Sequence, residues 1–367
     1  MRKMRFSYLA FLVVTAAAML LAACAPAATT AAPTAVPPTA VPPTAAAAAT
    51  ATTPPKPTAP PPACTPMANP PQVKAGDLGS ADNPITIAFV PSGDTGKITK
   101  AGNSITDCLN KMTGLTFKIQ VGTSFGAAIE AMGANKAQVG FLNTFSVLLA
   151  EAKYQIVPAL AVLRKYNTNA IDPDKALGGQ LNAFYKGQFI ANVASGIKDY
   201  PDLKGKKFCF VDPNSTSGYI VPRIVLKAHG VDPDKDFAAT VNAGSHDKVG
   251  IAVYNGDCDA GVTYIDVLTD PVANLVAKYP DIQDKVKAFA DTDRIPNDGV
   301  QFVKGFDPAL GAAIADSLVS MAADPGGNAV IAGLYSINGF QKIDATFYDD
   351  FAAVLKAAGV DPATLVK

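Results

Sequence analysis

Three consecutive hydroxyl residues, Ser215, Thr216 and Ser217, lie between Asn214 and Gly218. The apolar run Lys206 to Val211 ahead of them predicts a short strand. After them Tyr219, Ile220, Val221, Ile224, Val225 and Leu226 recur at helical spacing until His229-Gly230, where Gly ends a helix. A tight strand-to-helix turn would gather free backbone N–H groups, hydroxyls and the positive end of a helix dipole at one point. An oxyanion, rich in acceptors and poor in donors, is what such a point satisfies. One capping hydroxyl is ordinary at a helix start; Asn, three hydroxyls and Gly exceed what capping needs. Pro222 cannot continue a regular helix from the turn, so the first turn should be distorted or restart there.

Other polar residues have two readings each. His246 follows Gly244-Ser245 and either opens a helix or touches a ligand. Asp266 follows a strand end, where an acid caps the next helix or serves a site. Asp298 sits in Pro-Asn-Asp-Gly, which turn chemistry alone explains. There are two His in the chain, 229 and 246, and no C-x-x-C or His cluster. Neither a metal site nor a nucleophile with its base stands out, and no cofactor is expected. The 31 basic and 31 acidic residues balance without a basic face, which argues against a nucleic-acid partner.

The elements that would position these residues alternate. Strands are expected at 84–90, 116–121 and 139–142, with helices at 98–112, 125–134 and 145–153, the pattern of a parallel sheet with right-handed crossovers. Ligands in such sheets sit beyond the carboxyl ends of the strands, here the loops Pro91–Lys97, Gly122–Phe125 and Asn143–Thr144. A strand at 188–193 leads out to a second unit with strands at 206–211, 239–243 and 260–264. Residues 292–304 cross back. Helices at 308–321, 328–334 and 344–358, with no strands left to accompany them, return to the first lobe. The fold class is α/β, in two lobes, each a central sheet flanked by helices, joined by a hinge of two segments. Lobe 1 is 83–192 plus 299–367, and lobe 2 is 193–298; closure on a ligand follows from that layout.

Ahead of the lobes, Arg2, Lys3 and Arg5 precede an apolar run from Tyr8 to Ala22. That is a secretory signal, too short to span a membrane. Its end, Leu21-Ala22-Ala23-Cys24, resembles the bacterial lipobox, which implies a signal at 1–23, acylation of Cys24, and a location on the extracytoplasmic face of the cell membrane. Residues 24–82 read as a linker; from 25 to about 63 it is Ala, Pro and Thr, extended and semi-rigid, with a reach on the order of 100 Å. The remaining four cysteines, Cys64, Cys108, Cys209 and Cys258, permit two disulfides in three pairings. Cys209 with Cys258, in one lobe, and Cys64 with Cys108 is the favoured set.

Residues 212–219 (Asp-Pro-Asn-Ser-Thr-Ser-Gly-Tyr) with Pro222, then 242–247 (Asn-Ala-Gly-Ser-His-Asp), 252–261 (Ala-Val-Tyr-Asn-Gly-Asp-Cys-Asp-Ala-Gly) and 295–298 (Ile-Pro-Asn-Asp), resemble the phosphonate-binding proteins of ABC importers. The likeness runs in order through residues 84 to 340. It implies a two-lobed periplasmic-binding-protein fold with a phosphonate, phosphite or related phosphorus oxyanion in the cleft, handed to ABC permease subunits. By position, Ser215, Thr216 and Ser217 would hold the oxyanion, and Asp266 and Asp298 would stand where aminophosphonate binders meet the ligand's ammonium group. Where the family has a ligand-touching Tyr on the lobe 1 helix, this chain has Phe125. A second Tyr, at the end of the third strand, is replaced by Leu142, with Asn143 and Thr144 beside it as replacement donors. Two other readings are a ligand-sensing lipoprotein of the same fold and an exported enzyme acting on phosphorylated compounds.

Overall fold

Ile85, Ile87 and Phe89 alternate with Thr86 and Ala88, and both sets are buried, as expected of a strand covered on its two faces. In the computed structural model, which describes residues 64–365, this strand (β1, Ile85–Phe89) lies inside a seven-stranded sheet. The export segment, Cys24 and the Ala-Pro-Thr stretch lie outside the described residues. The chain continues through α1 (Thr95–Thr113), β2 (Phe117–Val121), α2 (Phe125–Gly133), β3 (Val139–Leu142), α3 (Thr144–Tyr154) and β4 (Val157–Lys165). Ile105 and Leu109 of α1 pack with Ile87 and Phe89 on one face, and Phe125, Ile129 and Phe145 of α2 and α3 pack with Ala88 and Val90 on the other.

Three short strands follow, β5 (Leu181–Asn182), β6 (Phe184–Tyr185) and β7 (Gly187–Asn192), then β8 (Lys207–Phe210), α4 (Val221–Ala228), β9 (Ala239–Asn242), α5 (His246–Asn255) and β10 (Ala260–Tyr264). The single turns α6 (Leu275–Lys278) and α7 (Ile282–Lys285) lead to β11 (Val286–Asp291), β12 (Ile295–Pro296) and β13 (Gly299–Phe302). The chain closes with α8 (Pro308–Ala323), α9 (Pro325–Ala332), β14 (Gly339–Lys342) and α10 (Asp349–Ala357).

The large sheet has the order β14-β4-β13-β3-β1-β2, with β5 paired to β4; the second sheet is β11-β7-β10-β8-β9. The expected parallel core is present at β1, β2 and β3, and at β8, β9 and β10. Each sheet is nonetheless mixed, because β4, β13 and β14 in one, and β7 and β11 in the other, run antiparallel to their neighbours.

Two expectations change, the lobe that holds β7 and the absence of strands from the C-terminal region. Strand β7 pairs with β10 and β11, so it belongs to the second lobe, and the first crossing lies ahead of residue 187 rather than at 192. β11 likewise completes that sheet, and the return follows Asp291. The two crossings meet as a two-stranded ribbon, β6 with β12. The C-terminal helices are not without strands: β14 forms the edge of the large sheet against β4. Four residues, with Phe340 buried and Gln341 and Lys342 exposed, are too few for a clear period-two signal.

The linker also ends sooner than residue 82. Cys64 and Cys108 are joined with Cα atoms 5.2 Å apart, and Val73 and Leu78 pack against the core beneath α1. The Met67 amide bonds the Met112 carbonyl at 2.8 Å, and Thr116 bonds Gly79 at 2.8 Å. Cys209 and Cys258 form the second bridge, with Cα atoms 5.9 Å apart, tying β8 to the segment that follows α5.

Candidate functional site

The hydroxyl run occupies a π-helical turn, Thr216–Ile220, between β8 and α4. The wide turn closes through the Ile220 amide on the Ser215 carbonyl at 3.0 Å, and Pro222, in the first turn of α4, marks the restart as an α-helix. Gly218 is needed for packing: a Cβ there would lie 2.4 Å from Val211 Cγ2 and 2.8 Å from Ser215 Oγ. It supports the turn from behind and does not reach the cavity.

That cavity lies where the carboxyl-end loops of both sheets meet. Its volume is about 70 Å³. Since one water needs ~10–15 Å³ on this measure, it has room for about five water-sized groups, the scale of a small oxyanion. Ser215, Thr216, Ser217, His246, Phe125, Asn143 and Asp298 all line it, as do Ser92 and Lys97 from the first predicted loop.

Ser215 Oγ accepts from the Gly218 amide at 3.2 Å and lies 3.4 Å from His246 Nε2. His246 Nδ1 accepts the Tyr264 amide at 3.2 Å, which assigns the ring proton to Nε2. Burial, helped by the charge of Arg164, pushes the imidazole pKa down to about 3, so the ring is neutral and its Nε2–H is a donor at physiological pH. Thr216 Oγ1 accepts from the Phe145 amide and from Asn143 Nδ2, both at 2.9 Å. A hydroxyl has two acceptor sites and one donor. Ser215 and Thr216 have filled both acceptor sites, so each has its proton left to give. The Tyr185 hydroxyl lies in hydrogen-bonding range of Thr216 and Ser217.

The opposite wall is built from four separate stretches. Arg164, near the end of β4, places Nη2 3.5 Å from Asp266 Oδ1 and 3.8 Å from Asp270 Oδ2. Asp298, on the loop after β12, accepts from the Thr144 amide, and its buried Oδ1 has no hydrogen-bond partner among the described residues. Burial pushes its carboxyl pKa up to about 6 against the pull of Arg164. Burial also raises Asp266, again opposed by Arg164. Tyr335 and Ser336 are both in the left-handed region, φ 52° and 56°. This strained pair sets the Tyr335 ring on the cavity wall and brings Ser336 Oγ to Asp270 at 2.6 Å.

Several contacts cross from one sheet's unit to the other. Besides the Thr216 bonds, the His246 amide meets the Ser92 carbonyl at 3.0 Å, Lys97 Nζ the Val272 carbonyl at 2.5 Å, and Asn143 Nδ2 the Asn214 carbonyl at 2.9 Å. The cleft is closed.

Four expected site residues fall outside the cavity wall. Asn214 is a strut between the units, and Gly218 is a packing glycine. Thr144 has spent its hydroxyl on the Pro296 carbonyl at 2.6 Å, so it cannot replace a lost tyrosine donor. Asp266 stands behind Arg164 and is held by Asn167 Nδ2 at 2.5 Å. Leu142 is wholly buried in the core. The sequence reading missed Arg164, Tyr185, Tyr264, Asp270 and Tyr335. The tyrosines among them bring phenol groups back to the pocket from strands and loops other than those carrying Phe125 and Leu142.

Residues 87–348 match the profile of a family described as "ABC transporter, phosphonate, periplasmic substrate-binding protein". The chain belongs to this family. It is 29% identical over 193 residues to the phosphate-import protein PhnD of Mycolicibacterium smegmatis, covering 51% of this chain and 56% of that protein. It is 24% identical over 227 residues to the phosphonates-binding periplasmic protein of Escherichia coli, covering 61% and 62%. The chain thus spans less than two thirds of the length of either relative. PhnD1 of Prochlorococcus marinus, solved in complex with methylphosphonate, superposes with a TM-score of 0.62 at 17% identity, covering 75% of this chain and 98% of that one. The shared fold is the two-lobed α/β architecture described above. The family is one of substrate-binding proteins, not of enzymes. Among the described residues no helix is long and apolar enough to cross a membrane.

Proposed function

We propose that the protein is an extracytoplasmic solute-binding lipoprotein that captures a small phosphorus oxyanion (a phosphonate, phosphite or phosphate) and delivers it to an ABC permease. The observation that carries this reading is the state of Ser215 and Thr216. Both hydroxyls have their acceptor capacity filled inside the protein and converge on a cavity of about 70 Å³ with a proton to donate. An acceptor-rich, compact anion satisfies them. Family membership and the ligands named for the relatives, phosphate and phosphonates, support the phosphorus class. The Leu-Ala-Ala-Cys sequence ending at Cys24 supports a lipid anchor, with the Ala-Pro-Thr stretch as its tether.

Calorimetric titration with methylphosphonate, phosphite, phosphate and sulfate tests the ligand class; at least one phosphorus ligand should bind and sulfate should not. Absence of heat with every phosphorus ligand would overturn the reading. Cys24→Ser should move the protein out of the membrane fraction with unchanged affinity, and retention in the membrane would remove the lipid anchor from the account.

A further inference from the structure

The acid side of the cavity already holds a cation. Asp266 and Asp270 are both buried, and two carboxylates so placed would receive a ligand's ammonium group. Arg164 stands at that place. Its Nη2 is 3.5 and 3.8 Å from the two carboxylates, and the guanidinium lies 5.3 Å from the centre of the Tyr264 ring. Those separations pair charge without spending hydrogen bonds. The carboxylates take theirs from elsewhere: Asp266 from Asn167, and Asp270 from the Tyr264 hydroxyl at 2.7 Å, the Val272 amide at 2.8 Å and Ser336. A guanidinium has five N–H donors in a rigid fork. Here Nε is buried with no hydrogen-bond partner among the described residues, on a side chain that lines the cavity.

We propose that Arg164 determines ligand specificity: it occupies the position of a ligand ammonium group, turns its unspent donors to the oxyanion, and makes the pocket selective for small, amine-free phosphorus oxyanions over aminoalkylphosphonates. The inference rests on the phosphorus-oxyanion reading and names the class within it. A ligand amine directed at Asp266 and Asp270 would sit within a few ångströms of the guanidinium, away from screening water. The carboxylates that would have compensated it are neutralised already. An oxyanion without an amine meets the reverse situation, a charged donor facing it across the cavity from the hydroxyl turn.

The test is calorimetric titration of the full-length protein with methylphosphonate, inorganic phosphate and 2-aminoethylphosphonate, repeated for Arg164→Gln and Arg164→Lys. The wild type should bind the better of the first two at least about tenfold more tightly than 2-aminoethylphosphonate. Arg164→Gln should weaken that ligand about tenfold or more and reduce or invert the preference, since the two acids are released to an amine. Arg164→Lys keeps the charge and should keep the wild-type order. Equal or tighter wild-type binding of 2-aminoethylphosphonate would overturn the proposal, as would an unchanged preference in Arg164→Gln. If Arg164→Gln does not fold, the wild-type and Arg164→Lys orders still decide. Failure of all three ligands and of phosphite to bind the wild type would bring down the phosphorus-oxyanion reading itself, an outcome distinct from binding with the wrong order.

Discussion

The two walls of the pocket are made in different ways. The donor wall comes mainly from one contiguous turn, residues 215–217, with His246 beside it, and every group in it is neutral and held in a fixed protonation state. The opposite wall is assembled from β4, the segment after β10, the β12–β13 loop and the strained turn at Tyr335, and it is charged. Burial raises the carboxyl pKa of Asp266 and of Asp298, and Arg164 pulls both back. The first wall presents hydrogen-bond donors whose geometry is set by local backbone. The second balances charge, and that balance exists only once distant segments have come together.

The largest effect should come from the residue that belongs to both the donor wall and the closure. Thr216 Oγ1 accepts the Phe145 amide and the Asn143 side chain, which belong to the other lobe, while its hydroxyl lines the cavity. Thr216→Val preserves shape but loses a hydrogen bond to a charged ligand and leaves two donors unpaired in the closed form. Together these amount to roughly 3–5 kcal/mol, so affinity should fall by about a hundredfold or more. Thr216→Ser should stay within about tenfold of wild type. If Thr216→Val bound as tightly as wild type, the turn would have no part in either binding or closure.

Ser215→Ala and Ser217→Ala remove one donor each without touching an interlobe bond. Each should cost about ten- to a hundredfold in affinity for a phosphorus oxyanion, from roughly 1.5–3 kcal/mol per hydrogen bond to a charged group. Calorimetry on the two variants, with thermal unfolding to show that the fold is kept, separates this loss from a general one. Wild-type affinity in both would confine the hydroxyl donor function to Thr216.

The same contrast explains what could be read from the sequence. The turn was legible because strand, hydroxyl run and helix are adjacent, and each has a pattern of its own. Pro222 even announced the distorted first turn. Phe125 and Asn143 were legible as the residues that open helices after parallel strands. Arg164 was not. In Val-Pro-Ala-Leu-Ala-Val-Leu-Arg-Lys it reads as a charge ending an apolar strand, and its meaning comes from partners brought near it only by the fold; even neighbouring Asn167 meets Asp266 across 99 residues. Tyr185 and Tyr335 sit on a two-residue strand and a left-handed turn, which carry no periodic signal. β7 was assigned to the wrong lobe for a related reason: an apolar strand shows that it will be buried but not which sheet will accept it.

A smaller effect tests whether the acid wall reads protons. Asp298 Oδ1 and Asn143 Oδ1 are buried acceptors without partners among the described residues, and both residues line the cavity. A ligand oxygen bearing a proton can satisfy one of them; sulfate, fully deprotonated near neutral pH, satisfies neither and meets a carboxylate besides. Phosphate should therefore outbind sulfate by at least about tenfold, the usual consequence of leaving one buried polar group unpaired. Asp298→Asn removes the negative charge and supplies a donor, so the preference should shrink, chiefly through improved sulfate binding. Calorimetric competition between the two anions reads it directly; an unchanged ratio would show that Asp298 serves the hinge and not the ligand.

The last effect concerns stability in acid, where the walls should oppose each other. His246 is held neutral, with its pKa lowered from the ordinary 6.5 to about 3. Above pH 6.5 both folded and unfolded forms are neutral there and the residue contributes nothing. As pH falls below 6.5 only the unfolded chain takes up the proton, so stability is lost at about 1.4 kcal/mol per pH unit. Asp298, raised from 3.8 to about 6, has the opposite sign. Between those values the folded form holds the proton that the unfolded form has released, so its contribution is lost as pH rises from 4 to 6 and regained on acidification. In the wild type the two trends offset each other over pH 4–6. His246→Asn removes the first alone, so its unfolding free energy relative to wild type should grow by about 1.4 kcal/mol for each unit of acidification in that window. Asp298→Asn should fall relative to wild type over the same window. Denaturant unfolding at pH 7, 6, 5 and 4 measures both differences, with titrations common to all three proteins cancelling. If the two differences run parallel to the pH axis, the imidazole and the carboxyl titrate as they would in water, and the donor wall loses its claim to a fixed proton.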